Sequence, residues 1–316
     1  MSDYKIFFAS DIHGSERCFL KFVNAAKFFG AQALVLGGDV TGKVLVPIVR
    51  RGGGYDSRFL GQPVRVEGEG ERAELEKRVR VNGFYPYVCD PDEYARLEAD
   101  EAYMREVFRR VMRDSVARWI ELAEERLKGS GVTVAIMPGN DDDLAIDDVL
   151  DASPVSVNHD GRAVALGDYE MVGFSYVNPT PWNSPRELDE EGMARRIEEI
   201  VAQASADRGH LILNFHAPPY RSQLDNAPRL TQDLRVVRTG GEPEMAPVGS
   251  VAVRQALERY QPLLALHGHI HESRGAVRIG PTLAINPGSD YGEGVLRAAI
   301  VTLRGTSVRS HQIITG

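Results

Sequence analysis

The chain has 316 residues, of which 43% are hydrophobic and 26% charged, with a formal net charge of −8 and two cysteines. This composition suits a globular core and argues against disorder, a disulfide framework, and a basic surface for nucleic acid or membranes. The N-terminus lacks a signal pattern, and no apolar run approaches the ~20 residues of a membrane span, so we expect a cytoplasmic protein without a membrane partner.

The N-terminal segment predicts a βαβ unit. Residues 4–9 are an apolar run, residues 15–29 carry apolar side chains at helical spacing, and residues 33–36 form a second apolar run. A strand, a helix and a strand at this spacing indicate a parallel sheet. Such sheets place their ligand sites at the carboxyl ends of the strands, where Asp11 and Asp39 stand.

Residues 43–129 interrupt this pattern and predict an inserted α+β subdomain. A glycine-punctuated β stretch over 44–66 precedes helical segments, the last of which we expect over 92–128. We expect the insertion to form a cap or an oligomerisation element, the second of which implies a homodimer. Its β stretch carries four arginines that either reach a substrate phosphate or lie on a solvated hairpin, namely Arg50, Arg51, Arg58 and Arg65.

The remaining chain returns to alternating strands and helices. Helices are expected near 187–204 and 249–260, and strands over 132–136, 164–166, 169–174, 211–215 and 262–266, with four more within 275–312. Two similar halves favour two facing sheets with helices outside them. The proline-rich loop over 178–185, which contains Trp182, is either a lid or a static surface loop.

Polar residues with metal-binding chemistry follow the predicted strands. They form an Asp-x-His, a Gly-Asp, a Gly-Asn, a single histidine and a Gly-His-x-His, with the candidate ligands Asp11, His13, Asp39, Asn140, His216, His269 and His271. Each block alone is weak evidence for a metal site, because turns and helix starts contain the same residue types. Together they offer the imidazole and carboxylate ligands that Mn, Fe, Co, Ni and Zn accept. Two such ions about 3.5–4 Å apart clamp a phosphoryl group, and a carboxylate is their natural bridge.

In this order the blocks resemble the calcineurin-like metallophosphoesterases, whose pattern is D-x-H, G-D, G-N-H, H and G-H-x-H. The resemblance covers roughly 1–42 and 130–312, and it implies an α/β four-layer αββα sandwich whose core spans 1–42 and 130–316. It implies two divalent metal ions, with manganese favoured. The first would be held by Asp11, His13, Asp39 and His271, and the second by Asp39, Asn140, His216 and His269.

By the same resemblance, a hydroxide that bridges the two ions would attack the phosphorus of a small phosphate ester or nucleotide. Phosphodiesters and phosphoanhydrides are slightly favoured as substrates. The alternatives are a broad-specificity phosphomonoesterase and a non-catalytic metal-binding scaffold of the same fold. A nucleic-acid polymer is disfavoured, because the net charge of −8 and the aspartates over 141–151 leave no basic channel.

The third block departs from the family, since it reads Gly139-Asn140-Asp141 where the pattern has Gly-Asn-His. That histidine helps to stabilise the transition state or protonates the leaving group. Asp141 would act similarly only with a raised pKa, which burial and the two following aspartates would favour. The alternative is that Asp141 caps a helix beginning near Leu144. The catalytic candidates are therefore Asp39, Asn140 and Asp141, and we expect a preference for substrates with good leaving groups.

Overall fold

The computed structural model describes residues 2–205 and 207–316, and it has the mixed α/β character that the sequence predicts. Within these residues the helices are α1 (Glu16–Phe29), α2 (Gly68–Val81), α3 (Pro91–Ala99), α4 (Glu101–Leu127), α5 (Asp147–Asp151), α6 (Glu190–Val201) and α7 (Val251–Tyr260). The strands before residue 140 are β1 (Tyr4–Ala9), β2 (Ala33–Gly37), β3 (Leu45–Arg51), β4 (Gly54–Phe59), β5 (Gln62–Glu67), β6 (Tyr85–Cys89) and β7 (Thr133–Met137). The later strands are β8 (Ser156–Val157), β9 (Ala163–Leu166), β10 (Tyr169–Phe174), β11 (Leu211–Phe215), β12 (Asn226–Pro228), β13 (Arg238–Thr239), β14 (Glu242–Pro243), β15 (Met245–Pro247), β16 (Leu264–Leu266), β17 (Gly275–Ile279), β18 (Thr282–Asn286), β19 (Arg297–Arg304) and β20 (Ser307–Thr315).

The first large sheet has the strand order β20-β19-β1-β2-β7-β8. Strands β1, β2, β7 and β8 are parallel, while β19 and β20 extend the sheet antiparallel beside β1. Helix α1 connects β1 to β2; it begins where the Ser15 hydroxyl accepts a hydrogen bond from the Cys18 amide and ends at Gly30, whose φ is 61°. The predicted βαβ unit is confirmed, and the carboxyl ends of β1, β2 and β7 share one edge of the sheet.

The second large sheet has the order β17-β18-β16-β11-β10-β9. Strands β10, β11, β16 and β18 are parallel, and the two outer strands pair antiparallel with their neighbours. The strands expected over 164–166 and 169–174 are present as β9 and β10, which form a hairpin with Gly167 at φ 64° in its turn. The carboxyl ends of β11 and β16 therefore also share one edge.

Side chains from both sheets meet in one apolar cluster. Ile6, Phe8 and Val35 of the first sheet belong to the same buried cluster as Met171 and Ile212 of the second. Alternate residues point to opposite faces of a strand, so the other faces carry separate clusters. One includes residues of α1 and α4, and the other includes residues of α6 and α7.

The segment over 43–129 contains a smaller sheet with the order β5-β4-β3-β6 and its own apolar cluster, to which helix α2 contributes Leu75 and Val79. Helix α4 packs on α1, where the rings of Trp119 and Phe19 stack with centroids 4.5 Å apart. Among the helices of the described residues, none is long and apolar enough to cross a membrane.

The single helix expected over 92–128 is wrong, because two helices occupy this stretch. Asp100 lies between α3 and α4 in an extended conformation, with φ −118° and ψ 96°. Its carboxylate accepts a hydrogen bond from the Tyr103 amide at 3.0 Å and so caps the start of α4. The apolar periodicity continued across this capping residue, which is why the pattern concealed the break.

Candidate metal centre

The predicted ligands follow the carboxyl ends of parallel strands in both large sheets. Asp11 follows β1, Asp39 follows β2, and Asn140 follows β7, all in the first sheet. His216 directly follows β11 and His269 follows β16 in the second sheet. The packing of the two sheets brings these strand ends to one place, which explains why residues far apart in the sequence become neighbours.

Three histidines lie close to the carboxylates of Asp11 and Asp39. The Nε2 atom of His13 is 3.6 Å from Oδ2 of Asp39, and Nε2 of His216 is 3.4 Å from the same oxygen. On the other carboxylate, Oδ1 of Asp11 is 3.4 Å from Nε2 of His271 and 3.7 Å from Nε2 of His216. Asp39 thus lies between two sets of imidazoles.

Three groups of described residues have the spacing of a metal site, with candidate ligand atoms that all lie within 4.8 Å of one another within each group. The first consists of Asp11, His13 and His271, and the second of Asp39, His216 and His269. The third combines His13 and Asp39 with Asp141. The Asp141 amide donates to Oδ1 of Asp39 at 2.9 Å, which brings the Asn140 segment beside the second group. All seven predicted ligands are therefore assembled in one region.

Several of these residues have a strained backbone. The φ angles of Asp11, His13, Asp39 and His269 are 56°, 38°, 49° and 67°, in the left-handed region. Each such residue costs on the order of 1–2 kcal/mol, and surrounding contacts must hold it. Here the Asp11 amide donates to the carbonyl of Gly38, and the His13 amide to that of Asp39, both at 2.9 Å.

Glycines in the motifs allow close approach between loops. A Cβ atom on Gly38 would collide with the His216 ring, and one on Gly139 would collide with the backbone and carboxylate of Asp39. A Cβ on Gly268 would meet Asp11. The glycines that precede Asp39, Asn140 and His269 thus let a residue of another loop lie against the backbone.

Carboxylates and imidazoles in the cluster strongly shift one another's pKa. Although burial opposes ionisation, His216 holds the pKa of Asp39 well below its usual range, and His271 lowers that of Asp11. Burial disfavours the charged form of His216, but Asp39 and Asp11 outweigh it and raise its pKa to about 10. Burial and the charge of His216 lower the pKa of His269 to about 4. The two buried carboxylates therefore attract positive charge to this place.

The donor set fits a pair of transition-metal ions. The Nδ1 atom of His216 donates to the carbonyl of Gly37 at 2.9 Å, so in the neutral ring Nε2 carries the lone pair. That Nε2 is buried and finds no hydrogen-bond partner among the described residues, and the same holds for Oδ1 of Asn140. The Asn140 amide nitrogen donates to Ser184 at 2.9 Å, so its hydrogen-bonding partner holds the amide group in place while Oδ1 stays without one. Imidazole nitrogen and amide oxygen atoms left free in this way, beside carboxylates, suit metal ions.

Asp141 does not cap a helix, so that alternative is wrong. The stretch near Leu144 is a single 3-10 turn followed by α5, and the carboxylate of Asp143 caps it by accepting a hydrogen bond from the Ala145 amide at 2.9 Å. Asp141 instead forms an ion pair with Lys43. Burial and the charge of Asp39 raise the pKa of Asp141, against the effect of Lys43.

Three residues near the centre were missed by sequence reasoning. Lys43 is the first residue of the insertion, and only its position four residues after Asp39 hinted at its proximity. The ring of Tyr291 lies 4.5 Å from that of His13 between centroids. Asp142 is fully buried and accepts hydrogen bonds from the amides of Val40, Thr41 and Gly139, which ties the loop after β2 to the loop after β7.

Other candidates lie apart from these groups. Arg50, Arg51, Arg58 and Arg65 are exposed, and Arg65 pairs with Asp56 at 2.7 Å on the same hairpin. His267 is buried, and its Nδ1 lies 2.8 Å from the carbonyl of Phe215, which fits a supporting position behind the ligands.

Comparison with known proteins adds a distant relative and a shared fold. No protein-family model matches the chain. The uncharacterized protein MJ1162 of Methanocaldococcus jannaschii is 30% identical over 156 residues, which are 49% of this chain and 63% of that protein. The chain thus matches less than two thirds of the length of this curated relative.

Solved structures align over nearly the whole chain at low identity. One crystal structure has a TM-score of 0.56 at 17% identity and covers 100% of this chain and 99% of the other. The structure of TT1561 of Thermus thermophilus has a TM-score of 0.52 at 14% identity, with the same coverage of 100% and 99%. A structure described as a novel archaeal phosphodiesterase covers 99% of both chains at 12% identity, but its TM-score of 0.42 is too low to bear on function. The first two likenesses show a common fold and nothing more.

Proposed function

We propose that this chain is a dinuclear metal-dependent phosphoesterase of the calcineurin-like metallophosphoesterase family. Its substrate would be a small phosphate ester, with phosphodiesters and phosphoanhydrides favoured over monoesters. The observation that carries the proposal is the shared oxygen of Asp39, which lies 3.6 Å from His13 and 3.4 Å from His216. A carboxylate between two imidazole-containing groups is an arrangement that can hold two adjacent ions.

The proposed ligands are those expected from the sequence. The first ion would be held by Asp11, His13, Asp39 and His271, and the second by Asp39, Asn140, His216 and His269. When bound, such ions lower the pKa of water toward neutrality and neutralise negative charge on a phosphoryl group. Manganese is the favoured metal, although the donor set suits iron, cobalt, nickel and zinc as well.

The protein's own contribution is to fix the orientation of each ligand. The Gly37 carbonyl orients the His216 ring, and the Ser184 hydroxyl orients the Asn140 amide. The His269 amide donates to Asp11 at 3.0 Å, which ties the two halves of the centre together. Ligands that are oriented before binding lose less entropy when a cation arrives.

Lys43 would bring the positive charge nearest to an incoming phosphate. Its side chain is about half exposed, and its ammonium group pairs with Asp141, whose carboxylate alone would repel an anion. Because Asp141 replaces the family's histidine, we propose that the enzyme prefers substrates with good leaving groups. If Asp141→Ala left turnover of activated and unactivated esters equally unchanged, a direct role of Asp141 would be ruled out.

We also propose the four-layer αββα arrangement and the division into a core over 1–42 and 130–316 and an insertion over 43–129. The apolar cluster shared by the two large sheets and the helices that contribute to the outer clusters support the layers. The separate cluster of the small sheet supports the division. Whether the insertion is a cap or an oligomerisation element would follow from light scattering, which gives the mass in solution.

The decisive experiment is hydrolysis of bis(p-nitrophenyl) phosphate by protein that has been stripped of metal and reloaded with manganese. We expect turnover that depends on manganese and is lost in Asp39→Asn. Bound manganese without turnover of this diester would favour a phosphomonoesterase, which hydrolysis of p-nitrophenyl phosphate would reveal, or a scaffold. Failure to bind any transition metal would overturn the proposal.

A further inference from the structure

The loop between β10 and α6 is closed at its base and filled by one carboxylate. The Val177 amide donates to the carbonyl of Arg186 at 3.0 Å, which joins the two ends of the loop. Inside, Glu187 accepts hydrogen bonds from the amide and hydroxyl of Thr180 and from the amide and hydroxyl of Ser184, at 2.5–3.0 Å. A loop organised around an internal carboxylate has little freedom to change shape.

The same loop is attached to the candidate metal centre. The Ser184 hydroxyl accepts from the Asn140 amide at 2.9 Å, and the Arg186 amide donates to the Asn140 carbonyl at 3.3 Å. The guanidinium of Arg186, of which 1% is exposed, pairs with Asp147 and donates to the carbonyl of Asp142 at 3.2 Å. The loop and the segment that carries Asn140 are therefore one connected unit.

Trp182 lies in this loop with 64% of its side chain exposed. An exposed indole offers a flat apolar face on which a planar group can stack. Ser184, the contact of Asn140, is two residues away, so the two Cα atoms are at most about 7 Å apart. The backbone of Trp182 thus lies close to the segment that carries Asn140.

We propose that Trp182 is a stacking platform for an aromatic group of the substrate, so that the site selects phosphate esters that carry a nucleobase. This inference rests on the proposed phosphoesterase function and narrows its substrate class to nucleotides. A planar base stacks on an indole whatever its hydrogen-bonding pattern. Since the loop is already ordered, stacking immobilises little of the protein and retains most of its binding energy.

A fluorescence titration tests the contact without requiring turnover. The sequence contains two tryptophans, and the other, Trp119, is 4% exposed beneath α1. Adenosine 5′-monophosphate should therefore quench the emission of the wild-type chain in a saturable way, and ribose 5-phosphate, which lacks the base, should not. The quench should vanish in Trp182→Phe, which keeps an aromatic ring and leaves Trp119 as the reporter. Equal effects of the two ligands, or no quench by either, would overturn the proposal.

Kinetics of two diesters supply the second test. We expect Trp182→Ala to raise KM for thymidine 5′-(p-nitrophenyl phosphate) about tenfold with kcat little changed, because stacking acts on the ground state and transition state alike. Trp182→Phe should retain most of the affinity, and methyl p-nitrophenyl phosphate should be hydrolysed equally by all three proteins. Equal losses for both diesters would point to a disturbed loop and contradict base recognition.

The two tests separate this inference from the proposed function. Base-dependent quenching without hydrolysis would retain the platform and reject the phosphoesterase. Hydrolysis of both diesters with no dependence on Trp182 would support the phosphoesterase and reject the stacking platform.

Discussion

The candidate metal centre and the hairpin of β3–β5 are both rich in charged side chains and glycines, yet their environments are opposite. At the centre, Asp11 and Asp39 are buried and surrounded by imidazoles. On the hairpin, Arg65 and Asp56 are both more than 40% exposed and pair in contact with water. The same kinds of residue thus serve different purposes in the two regions.

This difference indicates where a ligand is required. Removing charged groups from water costs several kcal/mol per ion unless opposite charge and hydrogen bonds compensate, whereas an exposed pair contributes about 0–1 kcal/mol. A buried polar atom without a hydrogen bond costs about 1–3 kcal/mol as well, and Nε2 of His216 and Oδ1 of Asn140 are such atoms. A bound cation would satisfy these atoms, while the described residues of the hairpin include no buried polar atom without a partner.

The largest contrast should come from matched carboxylate substitutions. We expect Asp39→Asn to abolish binding of one or both metal ions and to lower turnover by more than the roughly 10–100-fold that loss of an outer-sphere partner costs. Asp56→Asn on the hairpin should leave both unchanged. Metal content by elemental analysis and turnover of bis(p-nitrophenyl) phosphate measure the two effects. If the two variants had the same metal content and turnover, the proposed difference between the centre and the hairpin would be contradicted.

A pair of glycines extends the contrast to stability. Gly38 has φ 121° with the His216 ring against it, whereas Gly61 on the hairpin has φ 77° and nothing within 4 Å of an added Cβ. We expect Gly61→Ala to lower the free energy of unfolding by about 1–2 kcal/mol through backbone strain alone. Gly38→Ala should lower it by about 3–5 kcal/mol, because overlap with the ring adds to the strain. Urea denaturation of the metal-free proteins measures the difference, and equal losses would contradict the close packing at the centre.

A buried histidine outside the centre should make the stability of the fold depend on pH. His159 lies 2.8 Å from the Asn214 amide oxygen, and burial lowers its pKa from 6.5 to about 4. Because the unfolded chain binds the proton more readily, stability from this group is complete above pH 6.5 and is lost as the pH falls to 4. The loss amounts to about 3 kcal/mol. In His159→Gln, which keeps an amide donor for Asn214, denaturation between pH 4 and 7 should show a weaker dependence on pH, and an unchanged dependence would exclude His159 as its source.

The smallest effect is expected from the hairpin arginines. Arg65→Ala should change the free energy of unfolding by no more than about 1 kcal/mol, because its pair with Asp56 is exposed. KM should remain unchanged when Arg50, Arg51, Arg58 and Arg65 are replaced together. An increase in KM would show that the hairpin reaches the substrate and would restore the first of the two interpretations from the sequence.

Much of the fold could be predicted because its periodicity is local. The strand β1, the helix α1 and the strand β2 are specified by apolar spacing and by Ser15 and Gly30 at the helix ends. The break at Asp100 was not predicted. The apolar pattern continues across it, so an aspartate that caps a helix looks like any exposed aspartate. The same limit applies near Leu144, because the sequence does not reveal that Asp143, and not Asp141, caps the turn.

The sequence by itself determined the candidate ligands, because motif order and strand ends are properties of the chain that survive without any knowledge of packing. Only the tertiary structure decided that Lys43 pairs with Asp141, that Asp142 joins two loops, and that Ser184 connects the Trp182 loop to Asn140. These partners are separated by tens of residues or more. Their proximity depends on how the two sheets and the insertion pack, which is a property of the whole fold.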